Sequence, residues 1–266
     1  MLPEKYARLQ PQLDSHGVLE LVLSAPTKLN AVDGDLHRDL AEIWRDIDAD
    51  PDVRCVLLRA EGRAFSAGGD IEWVQQLADD FTARARGFRE TRDLVHNMIN
   101  CRKPTVSAIN GIAVGAGLAL ALLTDIAVAG RSAVLLDGHT RIGVAAGDHG
   151  VLWPILCGLG RAKYHLLLCE RIDGATAERI GLVAQCVEDA ELLPRARELA
   201  LRLARSSPTA VRWTKHALNH WLRMALPAFD SSAAMEFLSF SGPDAQEGIA
   251  AIRERREPKF SGPTDD

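Results

Sequence analysis

One polar loop between apolar segments carries side chains suited to acid–base chemistry. Residues 137–148, DGHTRIGVAAGD, are broken by glycines, contain His139 and Arg141, and run into His149. A histidine has a usual pKa of about 6.5, so it can take or give a proton near neutrality. A carboxylate such as Asp148 could orient the ring and stabilise its charged form. The structural alternative is that His139 is a loop residue and Asp148 the N-cap of the next helix.

A second stretch, residues 110–125 (NGIAVGAGLALALLTD), has small residues at the start of an apolar run. Gly115, Ala116 and Gly117 would let another molecule approach the backbone closely, since no large side chain stands in the way. The first N–H groups of a helix have no internal partner, so such an end can hold an anion or a developing oxyanion. Close packing of a buried helix against a sheet is the alternative, and this stretch alone leaves both open.

Composition narrows the class of protein. The chain has 266 residues, 47% hydrophobic and 25% charged, as is ordinary for a globular enzyme, and its net charge of −5 argues against nucleic acid as a partner. Five widely spaced cysteines without a C-x-x-C pair predict neither a disulfide framework nor a metal site. The polar N-terminus predicts no secretory signal, and the longest apolar run, residues 111–123, is too short to span a membrane. We therefore expect a cytoplasmic enzyme.

Hydrophobic periodicity indicates how these segments are positioned. Strands are predicted at 18–23, 53–60, 105–109, 125–129, 133–136 and 182–188, with a glycine-rich turn at 61–70. Helices are predicted at 33–48, from 71, at 81–100, and then at about 150–158, 161–169, 175–180, 191–206, 209–225, 228–240 and 243–256. Strand–helix alternation followed by helices predicts an α/β core over residues 1–200 and a helical C-terminal region over 201–266.

Two glycine-rich turns now fit together. Residues 64–71 (AFSAGGDI) and 111–117 (GIAVGAG) each follow a predicted strand and each start a helix. The pair resembles the crotonase, or enoyl-CoA hydratase/isomerase, superfamily. The resemblance covers nearly the whole chain through a series of short motifs in the family's order: Pro26-x-x-x-Asn30-Ala31, Arg59-Ala60-x-Gly62-x-Ala64-Phe65, Lys103-Pro104, Asp125-Ile126-Ala127, Ser207-Pro208-x-Ala210, Glu247-Gly248-Ile249 and Pro258-Lys259-Phe260. It implies an α/β crotonase (ClpP-like) fold, a spiral of ββα units with a helical C-terminal trimerisation region.

The resemblance also implies an oxyanion hole. In the family two backbone N–H groups polarise the thioester carbonyl of an acyl-CoA and hold its enolate, and the matching residues here are Gly69 and Ala116. Such preorganised donors stabilise a transition state by a few kcal/mol. The family more often has glycine at the position of Ala116, but a backbone donor does not depend on the side chain.

CoA is implied as part of the substrate, with no tightly bound cofactor. The matching positions place its adenine near Ala67, Asp70 and Ile71 and its pantetheine along Lys28 and Leu29, although Lys28 could equally be a solvated surface residue. Lys259 and Phe260 resemble the C-terminal element that reaches toward a neighbouring subunit's CoA site. A homotrimer or dimer of trimers is the implied assembly.

The sequence departs from the family where hydratases carry two catalytic glutamates. Ala119 occupies the first position, two residues after Gly117. His139 occupies the second, four residues before Gly143. Because neither carboxylate is present, hydration by the usual pair of acids is in doubt, and we expect His139 to carry proton chemistry.

The arrangement also resembles a small branch of the superfamily that hydrolyses C–C bonds in cyclic β-diketones without CoA. In that branch a histidine activates water near an aspartate nine residues later, the spacing of His139 and Asp148. The intact turn at residues 67–70 argues for a CoA thioester instead. Dienoyl-CoA isomerases, another branch, carry an acid one place before the position of Asp148.

Other side chains are weaker candidates for the site. Glu236 could face the pocket, but an exposed helix position is the expectation. His37, Trp44 and Trp73 could line an acyl pocket, and core packing explains them equally well.

We therefore predict an acyl-CoA enzyme of fatty acid metabolism, a hydratase-like lyase or isomerase. Gly69 and Ala116 form its oxyanion hole, and His139 with Asp148 performs the acid–base work. The alternatives are a C–C bond hydrolase acting on a β-diketone without CoA, and a catalytically inactive CoA-binding protein.

Overall fold

A computed structural model describes residues 2–150 and 152–261. Ten strands form two sheets, and they are β1 (Gln12–Leu13), β2 (Val18–Leu23), β3 (Cys55–Ala60), β4 (Ala64–Ser66), β5 (Thr105–Ile109), β6 (Ile112–Val114), β7 (Ile126–Gly130), β8 (Val134–Leu136), β9 (Ile172–Asp173) and β10 (Gln185–Val187). The larger sheet has the order β1-β2-β3-β5-β7-β10 and is parallel except for β1. The smaller sheet has the order β4-β6-β8-β9, with only β9 antiparallel.

Twelve α-helices follow or separate the strands in the described chain. They are α1 (Leu2–Lys5), α2 (Gly34–Ala49), α3 (Ile71–Asp79), α4 (Phe81–Asn100), α5 (Gly115–Leu122), α6 (Leu152–Cys157), α7 (Leu159–Leu168), α8 (Gly174–Arg179), α9 (Asp189–Arg205), α10 (Pro208–Leu218), α11 (His220–Ser239) and α12 (Pro243–Glu254). Short 3-10 helices occupy Ala7–Leu9, Pro26–Lys28 and Thr140–Ile142. None of the helices in the described ranges is both long and apolar enough to cross a bilayer.

The chain repeats one unit, in which a strand of the larger sheet is followed directly by a strand of the smaller sheet. The pairs are β3–β4, β5–β6 and β7–β8, and the first two are followed by helices α3 and α5. This is the ββα spiral implied by the family resemblance, so the predicted fold class is confirmed.

The larger sheet is buried on both faces, as its nearly continuous apolar strands require. One face packs on α9 through alanines at helical spacing, including Ala196 and Ala200, which meet Leu57 and Val106. The opposite face belongs to the main core, in which Trp44 of α2 is fully buried. Trp44 therefore serves packing and does not line an acyl pocket.

The smaller sheet positions the site. Because β4, β6 and β8 are parallel neighbours, their carboxyl ends lie at one edge of the sheet. The segments that leave this edge begin at Ala67, Gly115 and Asp137, and they carry the two glycine-rich turns and the start of the polar loop. The topology thus brings together three segments that are far apart in the sequence.

Polar side-chain contacts hold α11 against α4. Arg92 donates two hydrogen bonds of 2.9 Å to the Asp230 carboxylate, and His96 lies 3.0 Å from the same group. Asn219 adds a bond of 2.8 Å to the Ile99 carbonyl. These contacts hold the C-terminal helices of the chain near the edge of the smaller sheet where the site forms.

Most predicted elements are confirmed, and four short strands were missed: β1, β4, β6 and β9. The strands predicted at 18–23 and 105–109 and the helix at 81–100 have the observed bounds. The short strands β4 and β6 lie in segments interpreted as turns, because three residues give too little alternation to detect. The division of the chain at residue 200 stays a prediction, and that position falls inside α9.

Candidate active site

The turns after β4 and β6 form adjacent walls of one cavity of about 660 Å³. Gly68 has a φ of +86°, and a β-carbon there would lie 3.1 Å from the Val114 carbonyl oxygen, so the two turns are in contact. A β-carbon on Gly117 would lie 2.3 Å from that of Ser66, which shows how closely α5 approaches β4. Glycine is required at these positions because a side chain would separate the two walls.

Both predicted oxyanion donors line this cavity. Val32 pairs with the residues on either side of Gly69, accepting from Asp70 N–H and donating to Gly68 O, each at 2.8 Å. In this bridge the Gly69 N–H points away from Val32. Ala116 is the second residue of α5, so its N–H has no intrahelical partner. Both groups are therefore available to a ligand oxygen.

The two positions that depart from the hydratase pattern also line the cavity. Ala119 is buried there, with 4% exposure. His139 lies next to the start of α5, because its Cε1 would be 3.6 Å from a β-carbon built on Gly115. An imidazole therefore stands beside the predicted oxyanion hole.

Asp137, rather than Asp148, orients this imidazole. The Asp137 Oδ1 lies 2.5 Å from His139 Nδ1, whereas Asp148 Oδ1 is 3.8 Å away, beyond hydrogen-bond distance. Asp137 was overlooked in the sequence, and it is fully buried at the end of β8. Its hydrogen bond leaves His139 Nε2 directed toward Glu236, whose Oε1 is 3.7 Å away.

Glu236 is part of the site, and the expectation that it is exposed is wrong. Its side chain is 5% exposed and lines the cavity. Its Oε2 accepts a hydrogen bond of 2.8 Å from the backbone N–H of Asp148. Asp148 is not a helix N-cap, since the next helix begins at Leu152, and its buried Oδ1 has no hydrogen-bond partner within the described ranges.

Two further residues complete the cluster. His149 is fully buried, with Nε2 3.2 Å from Asp137 Oδ1 and 3.7 Å from Asp148 Oδ1. On its other side, the indole N–H of Trp153 donates to His149 Nδ1 at 3.1 Å. The sequence placed His149 in the polar loop but gave it no role.

Burial and charge set the protonation of this cluster. Burial disfavours the charged ring of His139, but the Asp137 and Asp148 carboxylates outweigh it and raise the pKa of His139 well above its usual value. Burial opposes ionisation of Asp137, yet His139 and His149 hold the pKa of Asp137 far below its usual range. Burial and the Asp148 charge raise the pKa of Glu236 to about 8 against the opposing effect of His139. These shifts favour an imidazolium His139 paired with Asp137 and a protonated Glu236 carboxyl group.

The same four groups do not suit a metal ion, although their ligand atoms lie within 4.8 Å of one another. A histidine that binds metal through Nε2 donates its other N–H to an acceptor. His149 Nδ1 instead accepts from Trp153, so the proton of a neutral His149 is on Nε2. The prediction of no metal site stays a prediction, and the donor geometry agrees with it.

The rest of the cavity is mainly apolar and ends at a basic mouth. His37 and Trp73 line it, with their ring centroids 4.7 Å apart and their planes tilted by 40°. The imidazole of His37 lies 2.9 Å from Glu90 Oε2 and 3.1 Å from Thr91 Oγ1. Three arginines border the mouth, and the sequence singled out only the first: Arg141, Arg255 and Arg256.

The residues implied to bind CoA are only partly brought together. Ala67 and Ile71 line the cavity. Five others are outside its lining: Lys28, Leu29, Asp70, Lys259 and Phe260. Lys28 is exposed and lies 3.7 Å from the Asp70 carboxylate, and the backbone of Lys259 donates to Glu247.

The family follows from comparison with known proteins. The family model described as Enoyl-CoA hydratase/isomerase matches residues 14–263. The chain belongs to this family. It is 32% identical over 252 residues to the 1,2-epoxyphenylacetyl-CoA isomerase of Escherichia coli, covering 92% of this chain and 95% of that protein.

Solved structures from this crotonase superfamily superimpose well. An enoyl-CoA hydratase/isomerase from Mycobacterium paratuberculosis gives a TM-score of 0.86 at 34% identity, covering 90% of this chain and 96% of that one. A β-diketone hydrolase from Anabaena, bound to (S)-3-oxocyclohexyl acetic acid, gives 0.83 at 27% identity, with the same coverage. Both branches considered from the sequence thus share this fold closely.

Proposed function

We propose that this chain is an acyl-CoA enzyme that stabilises a thioester enolate through the N–H groups of Gly69 and Ala116. The observation that supports this proposal is that Gly69 and Ala116 line one cavity, together with three titratable residues: His139, Asp148 and Glu236. The relatives named for CoA thioesters share the family, and no step in forming an enolate requires the two missing hydratase glutamates. Donors fixed by the backbone stabilise developing negative charge without reorganising.

In this proposal the proton chemistry is divided between two groups. Asp148 Oδ1 is a buried acceptor that no protein donor satisfies within the described residues, so it is suited to accept the proton removed next to the thioester carbonyl. His139, charged and held by Asp137, is suited to return a proton to another carbon of the resulting enolate. Removal of one proton and delivery of another together make an isomerisation, and transfer of the proton from Asp148 to the neighbouring neutral His139 resets both groups for the next turnover.

The cavity supports an apolar acyl group joined to an anionic carrier. Its interior is lined by Leu77, Leu94 and Val95, and its mouth by arginines. CoA carries phosphate groups, which arginine binds with charge-assisted hydrogen bonds.

The test is turnover of a panel of 2-enoyl- and 3-enoyl-CoA substrates by wild type and two variants. His139→Ala and Asp148→Asn should each lose about 100-fold or more in kcat. His220→Ala, at the exposed start of α11, is the control and should keep wild-type activity. Unchanged turnover in His139→Ala would refute the assignment.

A second candidate function, hydrolysis of a C–C bond in a cyclic β-diketone without CoA, is favoured by one observation. His139 Nε2 lies next to Glu236 Oε1 at 3.7 Å in a cavity whose fold matches the Anabaena β-diketone hydrolase. In that reaction the minor, neutral form of His139 would take a proton from a water molecule beside Glu236, and the water oxygen would attack one ketone carbon. The C–C bond between that carbon and the carbon flanked by the two carbonyls would then break, and the oxyanion hole would hold the resulting enolate of the other ketone.

Calorimetric titration with CoA and acetyl-CoA separates the two functions. Micromolar binding supports the thioester enzyme, while absent binding together with turnover of a cyclic diketone supports the hydrolase. Tight binding of 2-enoyl-CoA without any reaction would indicate the third alternative, an inactive CoA-binding protein.

We further propose a cytoplasmic enzyme of fatty acid metabolism that forms a homotrimer or a dimer of trimers. Large apolar side chains are exposed on α10 and α11, and burial between subunits would remove them from water: Trp213, Trp221, Met224 and Leu238. Light scattering at micromolar concentration measures the assembly, and a monomer would contradict it.

A further inference from the structure

We propose that His149 is a positioning residue, locked by Trp153 in one tautomer so that its Nε2–H faces the Asp137 carboxylate that holds His139. This inference rests on the proposed acid–base role of His139. It assigns a function to the fully buried His149–Trp153 pair, which the proposed reaction does not otherwise use.

The first step is the tautomer. The indole N–H of Trp153 is only a donor, and it lies 3.1 Å from His149 Nδ1. His149 Nδ1 must therefore accept, and the proton of the neutral ring is placed on Nε2. Burial disfavours the charged ring, while the Asp148 and Asp137 carboxylates raise the pKa of His149. Protonation of Nδ1 would break the bond from Trp153, so the indole opposes the carboxylates.

The second step is the direction of the Nε2–H group. His149 Nε2 lies 3.2 Å from Asp137 Oδ1 and 3.7 Å from Asp148 Oδ1 and makes no hydrogen bond with either oxygen among the described residues, so its N–H dipole acts on both carboxylates through charge. Asp137 Oδ1 thus lies between two rings, since His139 Nδ1 approaches it at 2.5 Å. The ring centroids of His139 and His149 are 5.9 Å apart and nearly perpendicular.

The third step is the consequence for Asp137. Its other oxygen, Oδ2, is buried without a hydrogen-bond partner among the described residues. Without His149, the Asp137 carboxylate would lose the N–H dipole that lies 3.2 Å from its Oδ1 and could rotate to satisfy Oδ2. The His139 ring would then lose its fixed orientation, and the pKa of His139 would change with the number of donors on Asp137.

These contacts therefore favour one position for the proton on the His149 ring and one orientation of the His139 ring. A chain of four side chains, from Trp153 through His149 and Asp137 to His139, connects a helix in the core with the cavity. Only His139 of these four lines the cavity. His149 and Trp153 act through the others and touch no substrate.

Nitrogen-15 NMR of the labelled full-length chain tests the inference without any substrate. In the wild type, His149 should be the Nε2–H tautomer throughout pH 6–8, and Trp153→Phe should allow the Nδ1–H tautomer. His149→Phe should shift the titration midpoint of His139 by about half a unit or more. His149→Gln places an amide N–H near the former Nε2 and should restore the wild-type midpoint.

Kinetics supply the second readout. With a substrate found in the panel above, His149→Phe and Trp153→Phe should lower kcat about tenfold with less than a twofold change in KM, and His149→Gln should recover most of kcat. If His149→Phe does not fold, the tautomer of His149 in the wild type and the variants Trp153→Phe and His149→Gln still test the proposal.

Three results would overturn the proposal. They are a wild-type His149 that is Nδ1–H or charged at pH 7, a His139 midpoint unchanged in His149→Phe, and stoichiometric Zn²⁺ binding with loss of the His149 Nε2–H signal. If His139→Ala loses activity but the titration midpoint of His139 does not move in His149→Phe, the positioning role is rejected and the proposed function stands. If the midpoint of His139 moves in His149→Phe but the wild type has no activity on any thioester, the positioning role is supported and the proposed function is rejected.

Discussion

Glu236 Oε2 accepts a hydrogen bond of 2.8 Å from the backbone N–H of Asp148, a residue 88 positions earlier in the chain. This contact joins α11 to the polar loop and closes the site with a carboxyl group from the C-terminal helices. Since the same group lies beside His139 and is buried, the stability of the fold is coupled to its protonation.

The first prediction concerns pH and Glu236. Its pKa of about 8 in the folded chain lies above the 4.5 expected when unfolded, so the native state binds more protons between these values. The unfolding free energy should therefore fall as pH rises from about 4.5 to about 8. Glu236→Gln removes this loss and should be more stable than wild type at pH 9, by on the order of 1–3 kcal/mol relative to their difference at pH 5.

Urea denaturation at pH 5, 7 and 9 measures this difference. Glu191→Gln, at an exposed position of α9, is the matched control and should follow the wild-type pH dependence. Parallel curves for Glu236→Gln and wild type would show that Glu236 has an ordinary pKa.

The second prediction concerns the carboxylate that holds His139. Asp137→Asn replaces the acceptor of His139 Nδ1–H with an amide and removes the charge that raises the pKa of the ring. We expect kcat to fall about 100-fold or more, and the basic limb of the pH–rate profile to move to lower pH.

A pH–rate profile with a thioester substrate provides the measurement. Asp52→Asn, on an exposed loop, should leave both limbs unchanged. A loss of activity in Asp137→Asn without movement of the basic limb would mean that Asp137 does not tune His139.

The sequence predicted the oxyanion scaffold because that scaffold is made of backbone. Gly68 and Gly117 are needed where two turns approach closely, and this need is visible as residue type and spacing. The acid–base cluster is made of side chains, and their partners depend on tertiary packing. The Asp-x-His spacing directly after β8 is the sequence signal that indicates Asp137 as a partner of His139, whereas the prediction relied on the spacing of His139 and Asp148.

Glu236 shows why part of the site could not be predicted. In α11 the apolar Met235 and Leu238 are exposed, with 63% and 72% of their surface accessible, while Glu236 between them is buried. This inverts the usual amphipathic pattern of a surface helix. The face that turns inward is the one that carries Phe229 and Phe237, which pack in the core against residues far away in the sequence.

The third prediction tests the contact between the two glycine-rich turns. In Gly117→Ala the new methyl group would lie 2.3 Å from the Ser66 β-carbon, so α5 must move away from β4. We expect a loss of about 1–3 kcal/mol in stability, together with lower activity because the two N–H donors separate.

Thermal and urea denaturation measure the stability, and Gly160→Ala is the control. Gly160 lies in α7 with no atom within 4 Å of its added β-carbon, so alanine should stabilise the chain by about 0.5–1 kcal/mol. Equal stabilities for both variants would mean that the turns are not in close contact.

The last prediction concerns the basic mouth of the cavity. Arg255 has a left-handed backbone (φ +54°) at the end of α12, lines the mouth, and has no ion pair within the described chain. Its neighbour Arg256 is already paired with Glu247 and Glu254. If the mouth binds CoA phosphates, Arg255→Ala should weaken CoA binding about tenfold, and the loss should shrink at high salt because screening weakens exposed charge contacts. Calorimetric titration measures the affinity, with Arg202→Ala on the exposed face of α9 as the control. Binding by Arg255→Ala as tight as by wild type would exclude this residue from CoA recognition, whereas a wild type that does not bind CoA would favour the diketone hydrolase.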